Sequence, residues 1–250
     1  VVSVDPSWVH ATAFSPDGRL LACGYGQHQP DRSVVGHVEI RDVASGRVVT
    51  ELLGHKNFVH SLAFNSDGSR LLTGGWDGEL RTWNVATGEP VTQTPAHDTP
   101  ILAVAFSPDG KLMVTTSFDE TVNVYSSGKD APLGFFGGHG RPTTSALFSP
   151  DGRFVISGSG GRAKGKNEIK FWTPREGEEL ATIGDHAARV TDIAISPDGQ
   201  TLFSASYDKT VCVWDLSALN KSAKTPVTEK AEVAEVAAVA AVAADKKPKT

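Results

Sequence analysis

A four-residue phrase, Ser-Pro-Asp-Gly or its near-copy Asn-Ser-Asp-Gly, recurs five times in this chain. It begins at Ser15, Asn65, Ser107, Ser149 and Ser196, at spacings of 50, 42, 42 and 47 residues. A period near 42 residues means one supersecondary unit stacked on copies of itself, because a unit that small cannot bury its apolar face alone. The recurrence therefore constrains the architecture more tightly than it constrains the task.

The unit between Gly54 and His97 shows what is repeated. Val59–Phe64 (VHSLAF) alternates in polarity and reads as a strand. Asn65-Ser-Asp-Gly68 is a turn, with glycine where a positive φ is most needed. Residues 70–74 form a second strand, Trp76-Asp77-Gly78 a tight turn, Glu79–Asn84 a third strand and residues 90–94 a fourth. Four short antiparallel strands per period is the pattern of a propeller blade.

Two further signals recur in register. A Gly-His-type opening appears as Gly54-His55, Ala96-His97, Gly138-His139 and Asp185-His186. A Trp-Asp-type closing is intact as Trp214-Asp215 and weakened to Trp83-Asn84, Tyr125-Ser126, Trp172-Thr173 and Arg41-Asp42. Over roughly residues 1–217 the chain resembles the WD40 repeat family. The resemblance implies an all-β propeller of five four-stranded antiparallel blades, with units at about 6–55, 56–97, 98–139, 140–186 and 187–217.

Residues 1–5 align with Glu51 to His55 and so read as an outer strand, expected to complete the last blade beside Val211 and Val213. Five units fit a small ring, an open arc, or part of a larger ring. The first residue is Val and Met113 is the only methionine, which favours a piece of something longer. Residues 218–250 are read as a linker and an Ala/Val/Lys-rich tail, disordered or a short helix.

Each regular unit also places a histidine, a hydroxyl, an aspartate and an aromatic at fixed offsets. The sets are His55, Thr73, Asp77 and Trp83; His97, Thr115, Asp119 and Tyr125; and His186, Ser204, Asp208 and Trp214. Hydroxyl, imidazole and carboxylate together suggest a catalytic triad. A nucleophile is needed only once, however, and these sets recur. The resemblance implies an internal chain, indole to hydroxyl to imidazole to carboxylate, in which every buried polar group is satisfied. Tyr125 lacks an indole N–H, so the third set is expected to be weaker.

Two units depart further. The first has Cys23 for the hydroxyl and Asp5 for the histidine, with an inserted loop of about eight residues within 27–36. The fourth keeps His139, Ser157 and Trp172 but loses the turn aspartate and gains about five residues within 160–167. That second insertion nearly spells a phosphate-binding loop, but Asn167 stands where a hydroxyl is required and a strand follows where a helix is required.

No cofactor or metal is implied, since Cys23 and Cys212 are far apart and no CxxC or Cys/His zinc spacing exists. No stretch approaches the roughly 20 apolar residues that span a bilayer, so no membrane insertion is expected. The chain holds 24 basic and 29 acidic residues; removing the tail leaves 18 and 25, a balance of −7 that repels phosphate backbones and argues against nucleic acid.

The remaining reading is a binding module for a protein or peptide, not an enzyme. In the family resembled, the turn between the second and third strands and the loop between blades share one face, the top. Trp76, Phe118 and Tyr207 stand just before the turn aspartate, while Trp8, Phe58, Pro100, Pro142 and Arg189 stand just before first strands. Of these, Trp8, Phe58, Trp76, Phe118, Tyr207 and Arg189, with Arg162 and Lys164 of the fourth-unit loop, form the candidate partner-binding set, because large aromatics and arginines dominate interface hot spots. The other readings are a structural or sensory segment of a multidomain protein and an enzyme with a central-channel site. In the strands VHSLAF, ILAVAF, TTSALF and VTDIAI the only candidates for such a site are His60 and Asp192, and neither recurs.

Overall fold

A computed structural model of the chain describes residues 8–129, 131–161, 167–184 and 186–217. These residues carry five antiparallel sheets, each a simple meander. The first contains β1 (Val9–Phe14), β2 (Leu20–His28), β3 (Val34–Asp42) and β4 (Val48–Leu53). The second contains β5 (Val59–Phe64), β6 (Arg70–Gly75), β7 (Glu79–Asn84) and β8 (Pro90–Pro95). The third contains β9 (Ile101–Phe106), β10 (Leu112–Ser117), β11 (Val122–Ser126) and β12 (Pro132–Phe136). The fourth contains β13 (Thr143–Phe148), β14 (Val155–Ser159), β15 (Ile169–Trp172) and β16 (Glu179–Ile183). The fifth has three strands among the described residues, β17 (Val190–Ile195), β18 (Thr201–Ser206) and β19 (Val211–Asp215). The fourth strand expected there from residues 1–4 lies outside the described residues, as do residues 218–250.

The recurring phrase builds the first turn of every sheet. The hydroxyls of Ser15, Ser107, Ser149 and Ser196 each accept the N–H five residues on, at 2.9–3.0 Å, and donate to the aspartate two residues on. In the second sheet the Asn65 amide oxygen accepts the Arg70 N–H instead, at 2.9 Å. The glycine that ends each phrase sits at a φ of 69–74°, a region that strains any residue with a Cβ. Side chain and backbone thus close a turn that needs no help from the core.

Apolar side chains collect between sheets, not within one central core. Four buried clusters each join one sheet to the next. Val59, Leu71 and Trp83 of the second sheet meet Ala22, Ile40 and Leu52 of the first; Ile101 and Met113 of the third meet Leu72 and Leu80 of the second. Full burial of one such aliphatic or aromatic side chain contributes about 1.5–3 kcal/mol, so each interface is a sizeable nearest-neighbour term.

The innermost strands β1, β5, β9, β13 and β17 pack in succession, and no comparable packing joins β17 back to β1 among the described residues. The result is an open arc of blades. The last sheet shows the open end: Phe203, Val211 and Val213 are exposed, whereas Ile156, Phe171 and Ile169 at the same register positions of the fourth sheet are buried.

The first insertion differs from the expected loop. It lengthens β2 and β3, whose pairing continues through Gly26–Gly36, Gln27–Val35 and His28–Val34. Continued backbone hydrogen bonding makes strand the cheaper way to hold the extra residues.

Candidate functional site

The top face is assembled blade by blade from the two loop sets. The Trp76 N–H donates to the Phe58 carbonyl at 2.8 Å, Phe118 to Pro100 at 3.4 Å, Tyr207 to Arg189 at 3.0 Å, and Gly160 to Pro142 at 3.1 Å. Each loop tip is therefore tied to the entrance of its own inner strand. Trp76 and Phe118 remain 38% and 39% exposed, Tyr207 68% and Trp8 81%. Phe58 is half-buried, packed edge-on against Trp76 at a centroid distance of 5.4 Å. Arg162 and Lys164 lie outside the described residues.

The second residue of every inner strand is a bulge: His10, His60, Leu102, Thr144 and Thr191 are skipped by the pairing with the second strand. A bulge re-aims its side chain. The His60 Nδ1–H donates across to the Leu102 carbonyl at 3.1 Å, and Thr144 Oγ1 donates to the Val190 carbonyl in the next blade.

His60 does recur, contrary to the sequence expectation. Strand β1 reads VHATAF and carries His10 at the position of His60, and the two imidazoles stack at 5.9 Å. His10 also lies edge-on to Phe58 at 4.9 Å and near Trp76 at 6.3 Å. Its Nε2 is buried with no hydrogen-bond partner. Burial lowers the proton affinity of both rings; for His60 the Leu102 carbonyl opposes that effect, while His10 and Arg189 add to it. The matching V-H-x-x-A-F strings were the signal that exposes this pair.

Beneath the loop tips lie the quartets. In the second blade the Trp83 Nε1–H donates to Thr73 Oγ1 at 2.9 Å, Thr73 is 2.8 Å from His55 Nε2, and His55 Nδ1 is 3.0 Å from both Asp77 oxygens. The fifth blade has the same chain through Trp214, Ser204, His186 and Asp208, at 2.9, 2.8 and 2.9 Å. Burial works to raise the Asp77 and Asp208 carboxyls, but the bonds they accept from imidazole, hydroxyl and backbone N–H groups hold both below the usual carboxylate range.

In the third blade His97 reaches Thr115 and Asp119, each at 2.8 Å, but the Tyr125 hydroxyl turns to the Ala96 carbonyl at 3.3 Å, leaving the indole link unmade. The fourth blade keeps Trp172, Ser157 and His139 at 2.8 and 2.6 Å and has no carboxylate. There His139 Nδ1 is buried without a partner, and burial, with Lys170 nearby, pushes the imidazole down to about 3. The first blade substitutes another network: Tyr25 donates to Glu39 at 2.9 Å, and Glu39 holds Arg41.

These groups have little capacity left for chemistry. The hydroxyls of Thr73, Ser157 and Ser204 are buried and held from two sides. His55, Asp77 and Glu79 approach one another closely enough to hold a cation. Their oxygens are already engaged, Asp77 by His55 and the Lys56 N–H, Glu79 by Arg81 at 2.6 and 2.9 Å. Asp192 Oδ1 accepts the N–H of its own neighbour Ile193. Among the described residues no helix is long and apolar enough to cross a membrane.

Comparison with known proteins agrees with this geometry. The family described as WD domain, G-beta repeat matches residues 46–84, 88–126, 130–172 and 177–215. The chain is similar to the guanine nucleotide-binding protein subunit beta of Schizosaccharomyces pombe, 35% identical over 82 residues, 33% of this chain and 24% of that protein. It is 36% identical to transducin beta-like protein 3 of Bos taurus over 61 residues, 24% of this chain and 8% of that protein. It is also 36% identical to guanine nucleotide-binding protein subunit beta-5b of Danio rerio over 70 residues, 28% of this chain and 16% of that protein. The matched stretches thus span a quarter or less of these relatives' lengths. With its repeats matched over most of the five-sheet arc, the chain belongs to the WD40 repeat family.

Proposed function

We propose that the chain is a non-enzymatic interaction scaffold whose top face receives a protein or peptide partner. One observation carries this reading. Trp76, Phe118 and Tyr207 stay exposed at loop tips while their own N–H groups are tied to the inner-strand entrances. Rigid aromatic side chains present large contact area at low entropic cost, which is what interface hot spots require. The quartets act as interior struts that fix those loops, because Asp77 and Asp208 also hold backbone N–H groups on either side of the tip. Similarity to a protein named as a subunit of a guanine nucleotide-binding assembly supports a role in assembly. The excess of acidic residues favours a protein partner over nucleic acid.

The test is the triple substitution Trp76→Ala, Phe118→Ala and Tyr207→Ala in the full chain. Proximity labelling and affinity capture should lose the partners recovered with the native protein, while the thermal melt stays within a few degrees. Recovery of an unchanged partner set by a folded triple variant would sink the top-face reading.

A further inference from the structure

The top of the fourth and fifth blades carries two arginines that have no counter-charge among the described residues. Arg141 precedes β13 and Arg189 precedes β17, and both lie against the Gly160–Gly161 pair that follows β14. A Cβ on Gly160 would stand 2.5 Å from Arg189 Cα, and one on Gly161 would stand 2.9 Å from Arg141 Nη1. Any side chain at either glycine would displace an arginine. The consecutive glycines therefore let the Arg189 backbone and the Arg141 guanidinium approach one corner.

Three other half-buried or buried arginines are neutralised locally, whereas Arg70, also half-buried, has no ion pair among the described residues. Arg41 pairs with Glu39, Arg81 with Glu79 and Arg153 with Asp151, each a carboxylate two residues away. Arg141 and Arg189 are both half-buried, yet among the described residues neither side chain has a hydrogen bond or an ion pair. Arg189 Nε is buried and unpartnered. The Arg189 guanidinium is held over the Phe118 ring, 5.9 Å from its centroid, so it reaches from the fifth blade to the third across the top face. Cation–π contact fixes its position but supplies no acceptor for its five N–H donors. Partial burial of a charge without an acceptor is costly, and the cost is recovered only when a ligand brings one.

We infer that Arg141 and Arg189 form an oxyanion subsite of the top face, which takes the side-chain carboxylate of an acidic peptide whose neighbouring apolar residue packs on Phe118 and Tyr207. This deepens the top-face reading and rests on it. A carboxylate fits better than a polyanion, because the whole chain is already at −5 and each further negative charge meets long-range repulsion. The exposed Phe118 ring beneath the Arg189 guanidinium and the exposed Tyr207, whose N–H is bonded to the Arg189 carbonyl, supply the apolar neighbour's contact.

The experiment is selection of a random twelve-residue peptide display library on the immobilised full chain, with binders resynthesised for fluorescence anisotropy. Selected peptides should share an Asp or Glu beside an aromatic or aliphatic residue, and replacing that acid by Gln should weaken binding about tenfold or more. Arg141→Gln with Arg189→Gln should weaken the parent peptide equally and leave the Gln peptide unaffected. Arg189→Lys, which keeps the charge and loses the fork, should recover only part of the affinity.

Binders that lack an enriched acid, or that bind the double variant as tightly as the native chain while losing affinity to Trp76→Ala, would overturn the subsite and leave the top-face reading standing. Binders indifferent to Trp76→Ala and Tyr207→Ala as well would overturn both, as would a selection that yields none. Tighter binding, by tenfold or more, of a phosphoserine peptide than of its Glu counterpart would overturn the carboxylate assignment in favour of phosphate.

Discussion

The second and fourth blades begin from the same three groups and end differently. In both, an indole N–H donates to a buried hydroxyl that also meets an imidazole. In the second blade the imidazole continues to Asp77, whose oxygens also collect the Lys56 and Glu79 N–H groups. In the fourth blade nothing follows, and the His139 Nδ1 is left unpartnered in the interior. The difference shows what the carboxylate does. It gives the second imidazole nitrogen a place to end, and it ties the tight turn to the loop before the first strand. Without it the turn is free to lengthen, and the fourth blade is where a second insertion occurs.

The largest expected effect comes from making the second blade end as the fourth does. Asp77→Ala removes the acceptor for one imidazole and two backbone donors in a site almost closed to water. It should cost about 3 kcal/mol in urea unfolding. A loss below about 1 kcal/mol would mean that the strut carries little of the blade's stability.

Acid should separate the two blades by window. His139 is held at about 3 in the fold against 6.5 in the unfolded chain, so the folded state prefers the neutral ring. The unfolded state then takes up the proton first, and stability falls as pH drops from 6.5 towards 3. At pH 4.5 this amounts to roughly 2–3 kcal/mol. His10, His60 and His97 are lowered as well and act in the same direction, so the check is the difference between native protein and His139→Gln. The variant should show a shallower loss between pH 6.5 and 4.5, and identical slopes would refute the assignment. Asp77 and Asp208 work lower down: each is depressed below 3.8, so their contribution is complete above that value and disappears only as pH falls through the folded pKa.

The smallest effect sharpens the comparison with the third blade. Trp83→Phe removes the indole N–H that donates to Thr73 and should cost about 2 kcal/mol. Tyr125→Phe removes only a long contact to a carbonyl and should cost less than about 1 kcal/mol. Equal costs in chemical denaturation would show that the indole link adds nothing to packing.

Several of these features were legible in the chain, for local reasons. The Ser-Pro-Asp-Gly turns are closed by atoms within five residues of one another, so sequence contains everything they need. The loop tips were recognisable as well, because the turn aspartate marks their position. The inner-rim histidines were not. Where the His10 and His60 side chains point depends on a bulge in each inner strand, and a bulge has no residue signature of its own. Arg141 was missed for a related reason. What sets it apart is the absence of a partnering carboxylate among the described residues, which depends on the packing of distant segments.

Sequence by itself determined the repeat, the turns and the strand pattern, since these follow from periodicity and short-range hydrogen bonding; the buried polar chains, whose members lie 10–22 residues apart, were legible only through the resemblance to the WD40 repeat family. Tertiary structure decided which sheet faces were covered, leaving Phe203, Val211 and Val213 exposed at positions that are buried elsewhere. It also decided where the first insertion became strand and which charges met a partner. Those outcomes are set by residues far apart in the chain, and proximity across such distances is fixed only when the blades stack.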